Sequence, residues 1–217
     1  MKKLIIAIDG PAASGKGTIA KQLALKLNLA HLDTGSLYRA IAFSFKTLGI
    51  SPDDLAQTPD LISKIDKQKL LEISHMAAIR TKGIGKLASD FSQMPLVRDF
   101  LLTLQKNFAH TPPTPSNGSV LDGRDIGTVI CPDADFKFFI TASPEIRAER
   151  RYKELKQQGK AVTLSAVLHE VKVRDAADRS RSVAPLIPAK DAILVDSSEM
   201  SIEACLDFCL NKIQENR

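Results

Sequence analysis

The stretch Gly10-Pro11-Ala12-Ala13-Ser14-Gly15-Lys16-Gly17-Thr18 does most to limit what this chain can fold into. It follows the apolar run Leu4-Ile5-Ile6-Ala7-Ile8, which reads as a short buried strand. It precedes Ile19 to Leu27, where apolar residues recur at helical spacing. Strand, small-residue turn and helix together form the context in which a GxxxxGK pattern means a phosphate-binding loop. Small residues let successive backbone N–H groups curl around an anion. The helix start adds the positive end of its dipole, and Lys16 adds a full charge. In a plain strand-to-helix turn, Lys16 would be no more than a surface charge. One departure from the common pattern is that Gly17 follows the lysine and the hydroxyl comes one position later, at Thr18. Thr18 is therefore a less direct magnesium ligand than the hydroxyl of a GK[ST] loop.

The chain has 217 residues, enough for one sizeable core with inserts. Its 44% hydrophobic and 25% charged residues place it among globular domains rather than disordered chains. No apolar run approaches the roughly 20 residues that span a bilayer. Met1-Lys2-Lys3 carries the charge of a signal n-region, but Asp9 and the phosphate loop interrupt any apolar h-region. A cytoplasmic chain that does not engage a membrane is expected. Cys131, Cys205 and Cys209 form no CxxC pair. Cys205 and Cys209 lie four apart on an apolar helical face and read as buried thiols rather than ligands. The four histidines lack metal-ligand spacing. Of the net charge of +5, all arises between Arg147 and Arg181, where ten Lys or Arg face five Asp or Glu; the remainder holds twenty of each. A dispersed basic surface would point to nucleic acid, which is not expected as a partner. One arginine-dense segment in a chain with a phosphate loop points instead to a lid that closes over small phosphates.

Leu29-Ala30-His31-Leu32-Asp33 reads as a second strand. Thr34-Gly35-Ser36-Leu37-Tyr38-Arg39 then opens a helix whose period is carried by Leu37, Ala40, Ile41 and Ser44, with Thr34 or Ser36 as its cap. Tyr38 reads as a packing residue. Arg39 lies on the first turn after a strand's carboxyl end, the face where open α/β sheets bind ligands. Residues 51–106 read as helices with breaks and no convincing strand. Ser51-Pro52-Asp53-Asp54 starts a helix. Leu61, Ile62, Ile65, Leu70, Leu71 and Ile73 continue an apolar face, and Gly83 and Gly85 mark a turn. The segment is expected to be an insertion between the second and third sheet strands.

His110 to Gly118 is loop-like, and Ser119-Val120-Leu121-Asp122 forms a third strand. A carboxylate at the end of a buried strand is costly unless paired or placed near a metal. Asp122 is thus a Walker-B-like candidate for orienting magnesium and its waters, set against a plain turn aspartate. Phe136 to Ala142 is a fourth strand. Ser143-Pro144-Glu145 starts a helix that carries Arg147, Arg150 and Arg151 to near Gly159. Thr163 starts another, with Val167, Leu168 and Val171 as its stripe, running into Arg174-Asp175-Ala176-Ala177-Asp178-Arg179-Ser180-Arg181. Arg174 and Arg181 are read as sharing a helical face with Asp178 between them, and Arg179 as solvated. Ala192 to Asp196 is a fifth strand. Ser197 to Ile213 is a last helix with Ile202, Leu206, Cys209 and Ile213 facing inward. Five βα steps with nearly all-apolar strands predict an α/β fold, a five-stranded parallel sheet covered by helices on both sides.

Five ordered motifs, GPAASGKGT, LDTGSLYR, ASDFSQMPLVR, LDGRDIGTVICPDA and VRDAADRSRSVAPL, together resemble the bacterial cytidylate kinase family over nearly the whole chain. The resemblance implies a P-loop nucleoside monophosphate kinase that moves the terminal phosphoryl of ATP onto CMP or dCMP, with magnesium, in pyrimidine nucleotide metabolism. It implies a core of residues 1–50, 107–146 and 185–217, a monophosphate-binding insert over 51–106 and a lid over 147–184. By motif, Gly10 through Thr18 would hold ATP. Thr34 would contact the monophosphate, and Arg39 and Arg124 would anchor phosphate. Ser89, Arg98 and Asp125 would read cytosine. Arg174 and Asp178 would serve ribose and lid, and Arg181 would clamp phosphate. Lys16, Arg124 and Arg181 would carry the chemistry, with Thr18 and Asp122 toward the metal. A monomer acting on small molecules is expected. The insert looks trimmed, because Glu72 to Ala78 leaves little room before Ile79-Arg80-Thr81 for a small three-stranded sheet that the family often carries.

Two other readings compete. A kinase for uridylate, adenylate or shikimate would share the fold, and the pair Arg98 and Asp125 argues for cytosine against it. A nucleotide-holding switch would need no arginine-rich lid.

Overall fold

The computed structural model describes residues 3–215; Met1 and Lys2, part of the basic N-terminus, lie outside the described residues. Strands β1 (Leu4–Asp9), β2 (Ala30–Asp33), β3 (Gly118–Gly123), β4 (Phe136–Thr141) and β5 (Ile193–Asp196) form one sheet in the order β2-β3-β1-β4-β5. β1 runs parallel to both β3 and β4, and β4 is parallel to β5. Ile5, Ile6, Ala7 and Ile8 are all buried. A central parallel strand is covered on both faces, which is why it reads as a continuous apolar run rather than an alternating one. All five expected strands are present, within a residue or two at the ends.

The chain divides into two compact units. The first takes the residues up to Leu32 and those from Ala109 on. It holds the sheet and helices α1 (Lys16–Leu27), α7 (Pro144–Gln157), α8 (Leu164–Ser180) and α9 (Ile202–Glu215), named in chain order around those of the second unit. Ile19 and Leu23 of α1 and Leu206, Cys209 and Ile213 of α9 pack with Ile6, Ile8, Phe138 and Ile140 of the sheet. Each such side chain contributes roughly 1.5–3 kcal/mol when fully buried. Cys205 and Cys209 are buried thiols, as expected, and Cys131 is buried as well. Helix α9 starts at Ile202 rather than at Ser197. Ser197 is held in the preceding loop, where its N–H donates to the Thr141 carbonyl at 2.8 Å. Helices α7 and α8 share a small apolar cluster of Ala148, Leu155, Val167 and Val171, with Tyr152 and Leu168 against it.

The second unit is Asp33–Phe108. It contains α2 (Thr34–Thr47), α3 (Pro52–Gln57), α4 (Lys67–Ser74), α5 (Lys82–Phe91), most of α6 (Pro95–His110), and two 3-10 turns at Pro59–Lys64 and Ala77–Arg80. The stretch between residues 60 and 85 is helix and loop, which matches the helical rather than alternating spacing of Leu61 to Ile73. Two local expectations are corrected. The cap of α2 is Asp33, whose carboxylate accepts from the Ser36 N–H at 3.2 Å, and not Thr34 or Ser36. Gly83 and Gly85 lie inside α5 instead of marking a turn. Thr81 caps that helix, and tertiary packing of Ile84, Ala88 and Phe91 outweighs the roughly 1 kcal/mol cost of each glycine.

The rings of Phe45 and Phe91 stack with centroids 4.9 Å apart, and both side chains are fully buried. Phe91→Ala is expected to lower stability by about 3–5 kcal/mol through lost burial and the cavity left behind. Urea unfolding followed by circular dichroism checks this, and a loss below about 1 kcal/mol would contradict it.

Candidate active site

The phosphate loop joins β1 to α1 at the carboxyl end of the central strand. Gly10 is required by close approach: a Cβ there would lie 2.0 Å from the Ile140 carbonyl oxygen. Gly15 caps α1 at φ 89, a conformation that glycine takes without strain, and no side chain caps that helix. Ala13 sits at φ 60 despite its Cβ, the kind of local strain that gathers at functional loops. The Ser14 hydroxyl is buried and meets no hydrogen-bond partner among the described residues, so the loop holds a donor in reserve. Its carbonyl is tied down by Arg150 at 3.4 Å and by the Ser197 hydroxyl at 3.1 Å. These features fit a triphosphate, with Lys16 at the first position of α1.

Asp122, at the end of β3, is buried, and its Oδ1 lies 2.8 Å from His31 Nε2 on β2. Its Oδ2 would be 3.5 Å from a Cβ on Gly17, so the bare glycine leaves that oxygen facing the start of α1. Thr18, one residue on, is exposed. One carboxylate and one hydroxyl suit magnesium, which keeps several waters and takes the rest of its shell from phosphates. His31 was placed on a strand by its sequence but given no role. Only the pairing of β2 beside β3 brings it to Asp122.

Asp9, at the end of β1, was not singled out from the sequence either. Its carboxylate accepts from the Ile126 and Gly127 N–H groups, each at 2.8 Å. It thereby holds the single π-helical turn Ile126–Ile130 that follows Arg124 and Asp125. Burial pushes the Asp9 pKa up from 3.8 to about 7; the two amide bonds oppose this, and the nearby Asp125 charge adds to it. Asp125 itself is buried.

Asp178 on α8 brings together two arginines of the first unit. Arg124 Nε donates to its Oδ2 at 2.8 Å, and Arg181 Nη2 donates to Oδ1. Burial would raise the Asp178 pKa, but Arg124 and Arg181 outweigh it and hold the carboxyl below its ordinary value, with Arg174 adding to their effect. The two arginines are therefore neutralised in part by one carboxylate. Arg181 Nε is buried and has no partner among the described residues, a donor that an anion would satisfy. Arg181 lies just past the end of α8, so it does not share a helical face with Arg174 as its spacing suggested. Arg174 and Arg179 are exposed. Arg147 was noted only as a helix residue. It is fully buried and pairs with Asp175 through both guanidinium ends.

The second unit carries Thr34, Arg39, Ser89 and Arg98. Thr34 is buried at the first turn of α2. Arg39 Nη1 donates to the carbonyls of Ile79 at 3.1 Å and Thr81 at 3.4 Å. A Cβ on Gly85 would meet that guanidinium at 2.9 Å, so the glycine lies directly against Arg39. Arg98 is buried at the start of α6, donates to the Ser92 carbonyl at 3.2 Å and lies 5.8 Å from the centre of the Tyr38 ring. Tyr38 is thus a cation–π platform as well as a packing residue. Ser89 lies on α5, its carbonyl accepting from the Ser92 hydroxyl at 2.8 Å.

A phosphate loop on the central strand of a parallel sheet, with arginines fixed in the same unit, defines a P-loop kinase of the phosphotransferase kind. The family model described as cytidylate kinase matches residues 6–215. The cytidylate kinase of Bradyrhizobium sp. (strain ORS 278) is 46% identical over 214 residues, which cover 99% of this chain and 97% of that one. The cytidylate kinase of Brucella suis biovar 1 (strain 1330) is 48% identical over 200 residues, 92% of this chain and 88% of that one. A crystal structure of an uncharacterized protein from Eubacterium ventriosum ATCC 27560 shares the fold, with a TM-score of 0.52 and 15% identity over 98% of this chain and 99% of that one. The chain belongs to the cytidylate kinase family and is an enzyme, a nucleoside monophosphate kinase.

The Asp9 carboxyl yields a pH prediction with a definite sign. Because its folded pKa of about 7 lies above 3.8, the folded state keeps a proton that the unfolded chain has lost. Its contribution is fully present below about pH 4 and is lost as pH rises toward 7, with a slope of at most about 1.4 kcal/mol per pH unit. Asp178, lowered instead, acts below its ordinary range and leaves this window alone. Asp9→Asn is expected to flatten the decline between pH 4 and pH 7 in urea titrations; an unchanged pH profile would contradict it.

Proposed function

We propose that this chain is a cytidylate kinase that transfers the terminal phosphoryl group of ATP to CMP or dCMP, releasing ADP and CDP or dCDP. The observation that carries the reading is the pair Arg124 and Arg181, both fixed on the buried Asp178 in the unit that holds the phosphate loop, with a buried Arg181 donor to spare. Phosphoryl transfer needs positioning and charge neutralisation rather than a covalent nucleophile, and these residues supply both.

In this reading Gly10, Pro11, Ala12, Ala13, Ser14, Gly15, Lys16, Gly17 and Thr18 cradle the ATP phosphates through backbone N–H groups and the Lys16 charge. Arg124 anchors and Arg181 clamps the acceptor's phosphate, and both face the charge that spreads over the transferring group. Thr34 and Arg39 hold the acceptor phosphate. Arg39 Nη1 donates to the Ile79 and Thr81 carbonyls, and a guanidinium carries five N–H donors in a fixed fork. Ser89, Arg98 and Asp125 read the base, and Arg174 and Asp178 serve the ribose and the lid. A bound magnesium ion would neutralise and align the donor phosphates. Thr18 and Asp122 would hold it, directly or through water. Residues 51–106 act as the monophosphate-binding insert, and 147–184 as a lid that excludes water on closing. The α7–α8 apolar cluster supports an arm that moves as one piece. We read the working form as a cytoplasmic monomer without nucleic-acid or membrane partners. The +5 surplus confined to one segment argues against a dispersed nucleic-acid surface.

A coupled ADP-release assay with CMP, dCMP, UMP and AMP tests the reading. Release is expected to be fastest with CMP and dCMP; an equal or greater rate with UMP or AMP would overturn the substrate assignment. Lys16→Ala should leave the fold intact and lower kcat on the order of 10²- to 10³-fold or more, as losses of single transition-state donors do. Appreciable activity in that folded variant would remove the loop as the ATP site.

Base choice rests on hydrogen-bond complementarity. Cytosine offers an exocyclic amine as donor and a ring nitrogen and keto oxygen as acceptors, and a carboxylate is the usual partner for that amine. Asp125 takes the amine and Arg98 donates to the other two. Uracil reverses the amine and the ring nitrogen, setting both protein charges against the wrong partner. Sites of this kind reject a mismatched base by up to about ten-thousand-fold. Asp125→Ala should lower kcat/KM for CMP by about 10- to 100-fold, the value of a lost charged hydrogen bond, and narrow the margin over UMP. An unchanged CMP-to-UMP ratio would mean that another residue reads the amine.

A further inference from the structure

Arg147 is the largest fully buried side chain among the described residues, and it ends in a charge. Its bonds reach three different parts of the first unit. Nε donates to the Ala142 carbonyl, just past β4, at 2.8 Å. Nη1 donates to the Ala12 carbonyl in the phosphate loop at 3.3 Å and to Asp175 Oδ1 at 2.9 Å. Nη2 donates to Asp175 Oδ2. Asp175 stands on α8 three residues before Asp178, the carboxylate that grips Arg124 and Arg181.

A pair of this kind is poorly explained by stability. Desolvating two charges offsets most of their attraction, and apolar replacements of buried ion pairs are often neutral or stabilising. What the pair does supply is placement. A planar guanidinium forked onto a carboxylate permits one orientation, and residues three apart on a helix move together. We infer that Arg147 is a positioning residue that couples the phosphate loop to the arginine pair on Asp178, so that occupancy of the loop sets affinity for the acceptor monophosphate. The inference rests on the cytidylate kinase reading of the two sites.

The switching element is the peptide between Ala12 and Ala13. Its direction is set in part by the φ of Ala13, which stands at 60, a strained value for a residue with a Cβ. Phosphates seated on the loop amides hold that peptide, and with it the Ala12 carbonyl against Arg147. When the loop is empty and Ala13 relaxes, the carbonyl turns away. The bond at 3.3 Å is the longest of the four and the first to be lost. The guanidinium then keeps Asp175 but not the loop, and α8 is freed to shift, carrying Asp178 and its arginines with it. Coupling of this form requires an element with two arrangements that both sites bias, and the inference assigns that role to the Ala12–Ala13 peptide.

Titration calorimetry of CMP with and without the non-hydrolysable β,γ-imido analogue of ATP tests this. In the wild-type protein the analogue should tighten CMP binding at least about fivefold, the lower end of ordinary coupling between sites. In Arg147→Lys, which keeps the charge but loses the fork, and in Asp175→Asn, which keeps the shape but loses the charge, the ratio should fall below about twofold. A merely structural pair would lower the melting temperature and leave the ratio alone. A folded variant that keeps the wild-type ratio overturns the inference, and so does a wild-type ratio near one. Should neither variant fold, amide hydrogen exchange on the wild-type protein decides: the analogue alone should raise protection over residues 172–178, and unchanged protection overturns the proposal. Absence of CMP-dependent ADP release by the wild-type enzyme would instead sink the functional reading itself.

Discussion

Guanidinium groups brought close together repel, and buried ones must be paired. The first unit meets both demands with two carboxylates on one helix. Asp178 takes Arg124 and Arg181 at once, and Asp175 takes Arg147. Without them, the positive charge that phosphoryl transfer calls for would push the site open. With them, the arginines are held in place before any substrate arrives, and their remaining N–H groups stay available. Preorganised charge of this kind costs no rearrangement during the reaction, which is where its catalytic value lies.

The carboxyl ends of the strands carry the rest of the first unit's site. Asp9 fastens the turn at Ile126 and Gly127 and so fixes where Arg124 and Asp125 begin. Asp122 leans on His31 and turns its other oxygen to the phosphate loop. Two buried acidic groups, Asp9 and Asp122, thus occupy neighbouring strands. Both spend oxygens on backbone or histidine partners, which is how buried carboxylates are tolerated. The loop carries its own strain at Ala13 and its own unpaired hydroxyl at Ser14. Two departures from local ideality therefore fall in the loop, where an anion would relieve them.

The second unit is built differently. It uses short helices with strong caps at Asp33, Ser51, Asp66 and Thr81, because helices this short are marginal without capping and tertiary packing. Two of its arginines, Arg39 and Arg98, donate to backbone carbonyls, and Arg98 also lies over an aromatic face.

Much of this was legible in the chain. The phosphate loop, the five strands and their helices follow from short-range pattern, because period and turn chemistry are properties of neighbouring residues. The helical second unit followed from the spacing of Leu61 to Ile73, and the family from five motifs in order. What misled was also local: Gly83 and Gly85 look like a turn, but burial of Ile84, Ala88 and Phe91 keeps them helical. The pairings that make the site were not legible. Asp9 meets Gly127 across 118 residues, His31 meets Asp122 across 91, Arg124 meets Asp178 across 54 and Arg147 meets Asp175 across 28. The sequence by itself determined which segments are strand, loop and helix and which chemistry they carry. Only the tertiary structure decided which charge faces which, because strand order and helix rotation, not local pattern, bring distant polar groups within bonding distance.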